Sequence, residues 1–252
     1  MKSAWPAALS FALTLAVWQA VVMGFHVPVY LVPGPIAILR AFTADAAGLL
    51  QALLSTLSVT LAALAAACVL GVALACVMAA SAWARAALQP WAIILQVTPV
   101  VAVAPLIVVW VGNPFAAMVV CATIVAFFPV FSNTSAGLAA TPPELLDLFT
   151  LNGATTWQQI RLLRLPAALP YFLAGLRVAG GLALVGAVVA EFVTGAGGIA
   201  SGLAFRILES GYRLQTARMF ACLALLAAAG LVIHVSLGAM TAAILARRGS
   251  TR

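Results

Sequence analysis

Between Ala86 and Pro143 the chain places no charged side chain at all. A soluble domain cannot clothe such a run in water, whereas a bilayer accepts it, since a helix needs about 20 mostly apolar residues to cross the hydrocarbon core. The other uncharged intervals, Ser3–Leu39 and Ala46–Ala84, are of the same kind. They are too long and unbroken for barrel strands, and backbone groups cannot go unpaired in lipid, so helices are the expected solution. Only 7% of the 252 residues are charged, far below the roughly one quarter of a soluble domain.

Six spans are expected. Helix one runs from about Pro6 to Phe25 and helix two from about Ala52 to Ala80. The turn signal Gly112-Asn113-Pro114 divides the longest run into helix three, about Leu88 to Val111, and helix four, about Phe115 to Leu138. Helix five covers about Tyr171 to Thr194, ended by Gly195-Ala196-Gly197-Gly198, and helix six about Met219 to Ala246. The opening Met1-Lys2 and its apolar run are long for a signal peptide and lack a small-residue cleavage site, so helix one is expected to be retained. With both termini inside, the inner segments hold Lys2, Arg85, Arg161, Arg164, Arg247, Arg248 and Arg252, against Arg40, Arg206, Arg213 and Arg218 outside. That excess favours cytoplasmic termini, and the net charge of +7 reads as helix anchoring in place of nucleic-acid binding. Residues 1–45 form a first helix with a proline-rich outer linker, and residues 46–252 a separate block.

Several chemistries are excluded. Lys2 is the only lysine, so no phosphate loop, which needs a lysine within a glycine-rich turn, exists. Cys68, Cys76, Cys121 and Cys222 lie in apolar runs without metal-ligand spacing and read as packing residues. No metal and no cofactor is expected in this chain. No inverted internal repeat of the secondary-transporter kind is evident.

The one long polar segment on the inner side is residues 141–169. Thr141-Pro142-Pro143-Glu144 reads as an N-cap, a proline at the first helical position and a glutamate at N3. A helix to about Leu151 follows, stopped at Asn152-Gly153, where glycine accepts the left-handed conformation. Thr155 and Gln158 offer a capping box for a second short helix, Thr156 to Arg164, ending before Pro166. Taken alone, the segment is either a plain interfacial connector or a stiff amphipathic knob.

Gly153, nine intervening residues, and Leu163-Arg164-Leu165-Pro166 resemble the signature EAA-x3-G-x9-I-x-L-P of binding-protein-dependent ABC permeases. Asp147-Leu148-Phe149 stands at the EAA positions, keeping the acid and enlarging the two small residues. Pro166-Ala167-Ala168-Leu169-Pro170-Tyr171, Gly175-Leu176-Arg177, Ala190-Glu191-Phe192 and Tyr30-Leu31-Val32-Pro33-Gly34-Pro35 resemble the nitrate/sulfonate/taurine-type permeases, and the likeness covers essentially the whole chain. The resemblance implies an all-α membrane protein with a type I importer core in helices two to six. It also implies a permease subunit without an ATPase site, in a bacterial inner membrane. Its partners would be a second permease copy, a cytoplasmic ABC ATPase that uses ATP and Mg, and a solute-binding protein. The ATPase-coupling loop would comprise Glu144, Asp147, Leu148, Phe149, Gly153, Leu163, Leu165 and Pro166. Nitrate, sulfonates, taurine and pyrimidines are all cargoes of such systems. An ion-coupled transporter and a membrane scaffold are the rival readings.

Ionisable groups at membrane depth are costly and need a reason. Arg177 either snorkels to headgroups or serves an inner gate. Glu191 reads as a wetted outer carboxylate or the partner of an outer arginine, with substrate contact as the alternative. His234 either bonds a neighbouring helix or lines the pathway. Gln96, Thr98 and Asn133 are uncharged pathway candidates that serve equally as interhelical glue. Glycines 175, 180, 181 and 186 give helix five a close-approach face. On the outer side, Ile199–Tyr212 is expected to be amphipathic, with Glu209 and Arg213 paired at i, i+4.

Overall fold

The computed structural model describes residues 5–195 and 201–249, and every regular element among them is helical. Lys2, Ala196-Gly197-Gly198, Ile199 and Arg252 lie outside the described residues. The helices are α1 Trp5–Gly24, α2 Pro35–Ala44, α3 Ala46–Ala80, α4 Ala82–Val97, α5 Val100–Val111, α6 Pro114–Ala139, α7 Pro143–Leu151, α8 Thr156–Gln159, α9 Leu165–Thr194, α10 Leu203–Tyr212 and α11 Thr216–Gly249, with a π turn at Ile160–Arg164. Among the described residues, Ala46–Ala80, Pro114–Ala139, Thr156–Thr194 and Thr216–Arg247 are long and apolar enough to cross a membrane. A fifth span is formed if α4 and α5 count as one. The expected first span is the shorter α1, whose apolar stretch is Ala8–Gly24.

Helix three departs from expectation. It is not one rod but two, α4 and α5, bent by 102°. Thr98 leaves the helical region, with φ −71° and ψ 121°, because the ring of Pro99 crowds the preceding residue out of α geometry. The hydroxyl of Thr98 donates to the carbonyl of Ile94 at 2.7 Å and so satisfies the ending helix. At the other end of α5 the expected turn is present. Gly112 takes the left-handed conformation (φ 67°), and Asn113 caps α6 by accepting from the amide of Ala116 at 3.0 Å.

The chain divides into two compact units. One comprises Met1–Ser55 and Ala196–Ala228. Its core is Leu49, Ala52, Leu203, Ala221 and Cys222, with Ile38, Phe42 and Ile207 against it. Gly34 has no side chain to cap α2; the Gln19 carbonyl does so instead, accepting from the amide of Ile36 at 3.2 Å. Glu209 pairs with Arg213 at 3.0 Å, as the spacing predicts, and also with Arg206 at 2.9 Å. Arg218 joins Asp45 to the same cluster. The hydrogen bond from Arg206, reinforced by the charges of Arg213 and Arg218, holds the Glu209 carboxyl below its usual range.

The other unit comprises Thr56–Gly195 and Ala229–Arg252. Here α6 and α9 pack closely along their length, for a reason visible in the residues. A Cβ on Gly175 would lie 2.6 Å from the carbonyl oxygen of Pro129, and one on Gly186 would lie 2.8 Å from Cα of Ala122. Only hydrogen at those positions lets the backbones meet, the packing device of membrane helices. Ala126, Val130, Leu173, Ala179 and Ala183 fill the seam.

Candidate functional site

The segment between α6 and α9 begins differently from its sequence reading. Thr141 does not cap α7. Its hydroxyl donates to the carbonyl of Leu138 at 3.2 Å, closing α6, and Pro142 takes the N-cap position. Two adjacent prolines explain this: Pro143 forces Pro142 into extended geometry (ψ 132°), so the helix cannot start one residue earlier. Glu144 remains in the first turn of α7, where its charge complements the helix dipole.

At the end of α7 the expected stop is complete. Gly153 has φ 70°, its amide bonds to the carbonyl of Thr150 at 3.0 Å, and the amide of Ala154 bonds to that of Phe149 at 3.0 Å. These are the two bonds of a Schellman motif, and the left-handed residue between them is the reason for glycine. The capping box is present in both directions. Gln158 donates its amide to the Thr155 hydroxyl, and its side chain accepts from the Thr155 amide at 2.7 Å. A further bond was not anticipated. The side-chain amide of Gln159 donates to the Thr150 hydroxyl at 3.1 Å, tying α8 back to α7.

The second helix does not end before Pro166. From Thr156 to Thr194 the chain is one continuous helix of 39 residues. The π turn Ile160–Arg164 makes this possible, with the amide of Leu165 reaching back to Ile160. A proline inside a helix lacks its donor and presses on the carbonyl four residues earlier; the widened turn just before Pro166 provides the space. Two anchors in this stretch were missed. Ile160 is fully buried in the core, and Arg164 donates to the carbonyl of Ala79 at 3.2 Å. The signal for them was the i, i+4, i+8 series Ile160, Arg164, Ala168, which continues one helical face across the proline.

Leu165 packs against the core, and Leu163 and Pro166 are half-buried, whereas Glu144, Asp147, Leu148 and Gly153 are exposed and Phe149 partly so. The knob shows large apolar side chains: Leu151 is 86% exposed and Trp157 62%.

The membrane-depth candidates do not form one cluster. Arg177 and His234 meet, Nη2 to Nε2, at 2.9 Å. Arginine only donates, so Nε2 accepts and the ring proton sits on Nδ1. A bond from His234 to a neighbouring helix, one of its two readings, is thus present, with the exposed Arg177 as its partner. Glu191 is not wetted. It is 3% exposed, buried where α9 packs tightly near its end. Asn133 and Thr98 bond their own helices, to the carbonyls of Pro129 (2.8 Å) and Ile94 (2.7 Å), instead of neighbouring ones. Gln96 and Thr98 share a cavity of about 270 Å³ at the α4–α5 bend with Phe128, Pro129 and Leu182.

Comparison with known proteins bears on the family and the fold. Residues 67–247 match the family described as binding-protein-dependent transport system inner membrane component. A riboflavin transport system permease protein of Chloroflexus aurantiacus is 35% identical, over 93% of this chain and 88% of its own. A formylaminopyrimidine transport permease protein of Halalkalibacterium halodurans is 34% identical over 73% and 74% of the two chains. The taurine transport system permease protein of Escherichia coli is 27% identical over 95% and 91%. Among solved structures, an amino acid ABC transporter with histidines shares the fold, with a TM-score of 0.65 at 18% identity, covering 82% of this chain and 97% of that one.

Proposed function

The chain belongs to the binding-protein-dependent transport system inner membrane component family, and from that membership we propose how its residues divide the work of import. As the inner-membrane permease component of an ABC system it works with an ATPase and a binding protein, and it carries no ATPase site or cofactor of its own. Residues 141–169 are the coupling loop. Nucleotide-driven closure of the ATPases displaces the knob, and the permease rocks between inward-open and outward-open forms around the solute. Residues 46–252 make up the permease core, to which the first helix and linker, 1–45, are appended. Both termini face the cytoplasm, and two copies of this chain build the pathway.

The observation that carries this reading is the internal bonding of the knob. The left-handed Gly153, the capping box at Thr155 and the Gln159–Thr150 bond give it a fixed shape without a partner. Only a stiff element transmits displacement. Leu148 and Leu151 offer the apolar contact, with Asp147 beside them for a basic group on the ATPase. Arg177 and His234 form a gate contact, a role supported by a guanidinium held at membrane depth by a neutral imidazole. For cargo, we put a small nitrogen heterocycle first, because riboflavin and formylaminopyrimidine are named for relatives at 35% and 34% identity. A sulfonate, on the pattern of the taurine permease, is the alternative.

The decisive experiment is Leu151→Asp in the complete transporter. That side chain is 86% exposed, so membrane abundance should be unchanged. Its burial in an ATPase groove would make a charge there cost several kcal/mol, and ATPase co-purification should be lost. Normal ATPase retention and normal uptake would reduce the knob to a connector.

A further inference from the structure

Towards the end of the bundle that carries the knob, the end of α3, α4, the second half of α6 and the π turn before α9 line a cavity of about 330 Å³ with no place in the coupling scheme. Its polar side chains are Arg85, Gln89, Ser132, Ser135 and Arg164, and no acid lines it. Among the described residues neither arginine is within salt-bridge distance of a carboxylate. The remaining wall, including Met78, Phe128 and Phe131, is apolar.

An arginine near a helix end ordinarily snorkels outward to headgroups, and exposed Arg85 is open to that description. Arg164 is not. One of its terminal nitrogens is fixed on the carbonyl of Ala79. Its Nε, like the hydroxyl of Ser135, is buried without a hydrogen-bond partner. Buried donors left unpaired are unfavourable, and here two of them, one in the Arg164 guanidinium itself, belong to side chains on the wall of a cavity that also takes in Arg85. The ligand chemistry that satisfies guanidinium forks, a hydroxyl and an amide together is an oxyanion, above all a phosphate. The apolar wall asks for a hydrocarbon portion on the same molecule.

We propose that this cavity binds the phosphate group of an anionic amphiphile, the headgroup phosphate of a membrane phospholipid, with Arg85 and Arg164 as its cationic clamp, Ser135 as a donor, and Met78 and Phe131 meeting the acyl side. Occupancy fastens α4 to the start of α9, placing a lipid contact directly behind the coupling knob.

The test uses the complete permease, purified in mild detergent and depleted of lipid. Phosphatidylglycerol, diacylglycerol and inorganic phosphate are then added separately, with bound adducts read by native mass spectrometry and stability by thermal unfolding. Arg164→Gln removes an internal bond and is open to misfolding, so Arg85→Gln and Ser135→Ala carry the test. Phosphatidylglycerol should bind and raise Tm, and diacylglycerol, which has the same chains without the phosphate, should do neither. Retention should fall about tenfold in Arg85→Gln, the loss of one charge-assisted contact, and less in Ser135→Ala. Stabilisation by inorganic phosphate alone, still lost in Arg85→Gln, would support the phosphate site and assign it to a soluble ligand. Equal binding of diacylglycerol, or unchanged phosphatidylglycerol retention in both variants, would overturn the proposal. Since ATPase coupling enters none of these readouts, failure here leaves the coupling reading untouched.

Discussion

Arg177 and His234 show what a single hydrogen bond implies at membrane depth. A guanidinium cannot shed its charge, and its charged form is costly in lipid, so the bond to a neutral imidazole only partly compensates it. Gly238 has no side chain where the guanidinium lies; a Cβ there would be 3.3 Å from the Arg177 Nη2. Lysine at 177 keeps the charge but cannot reproduce the planar fork. We expect Arg177→Lys to insert normally and to lose transport about tenfold, equivalent to roughly 1.4 kcal/mol in the transport barrier. Uptake assays beside membrane-abundance blots check this, and near-normal uptake would return Arg177 to a simple anchoring role. Residue-level legibility in the sequence followed the range of the chemistry. Gly153, Thr155 with Gln158, and Glu209 with Arg213 were readable because each answers to partners within four residues. The burial of Glu191 and the meeting of Arg177 with His234 depend on how separate helices pack, which spacing along the chain does not encode.

Among the elements, the knob and the broken helix carry the lessons about proline. Pro90, Pro105, Pro129 and Pro170 all lie inside helices, whereas Pro99 marks a 102° bend. The residue type is the same and the outcome differs, since in a membrane protein a helix can carry a proline whose freed backbone groups are satisfied by its surroundings, which the proline alone does not reveal. Helix three was therefore read as one rod, and the helix beginning at Thr156 as ending too soon. The stop at Gly153 was readable, since left-handed backbone restricts the choice of residue at once. Gly153→Val, with φ 70° and no neighbour within 4 Å of a new Cβ, tests conformation without a clash at Cβ. The strain is of order 1–2 kcal/mol, too little to prevent insertion and enough to shift the knob. We expect normal abundance with ATP hydrolysis uncoupled from uptake. Coupled, wild-type uptake by the variant would show that the turn geometry is immaterial.

For the whole molecule, membership in the permease family fixes the membrane but not which side the knob faces, and topology is directly measurable. In a background without Cys68, Cys76, Cys121 and Cys222, all buried or half-buried, an Asn152→Cys variant should resist an impermeant maleimide added to intact cells and react after permeabilisation. Labelling from outside would invert the topology. On the proposed coupling, the continuous helix from Thr156 to Thr194 carries the motion in either orientation. At 39 residues it is a beam of roughly 58 Å, so a tilt of roughly 5° about its middle sweeps each end through roughly 2.5 Å. Glycine-mediated contact with α6 holds that beam at its middle, Gly175, and again at Gly186, and on the proposed coupling this contact is its fulcrum. Within the beam, the π turn at Ile160–Arg164 interrupts the regular α ladder, so on the proposed coupling it is where a stroke at the knob would be passed on or absorbed before it reached Glu191.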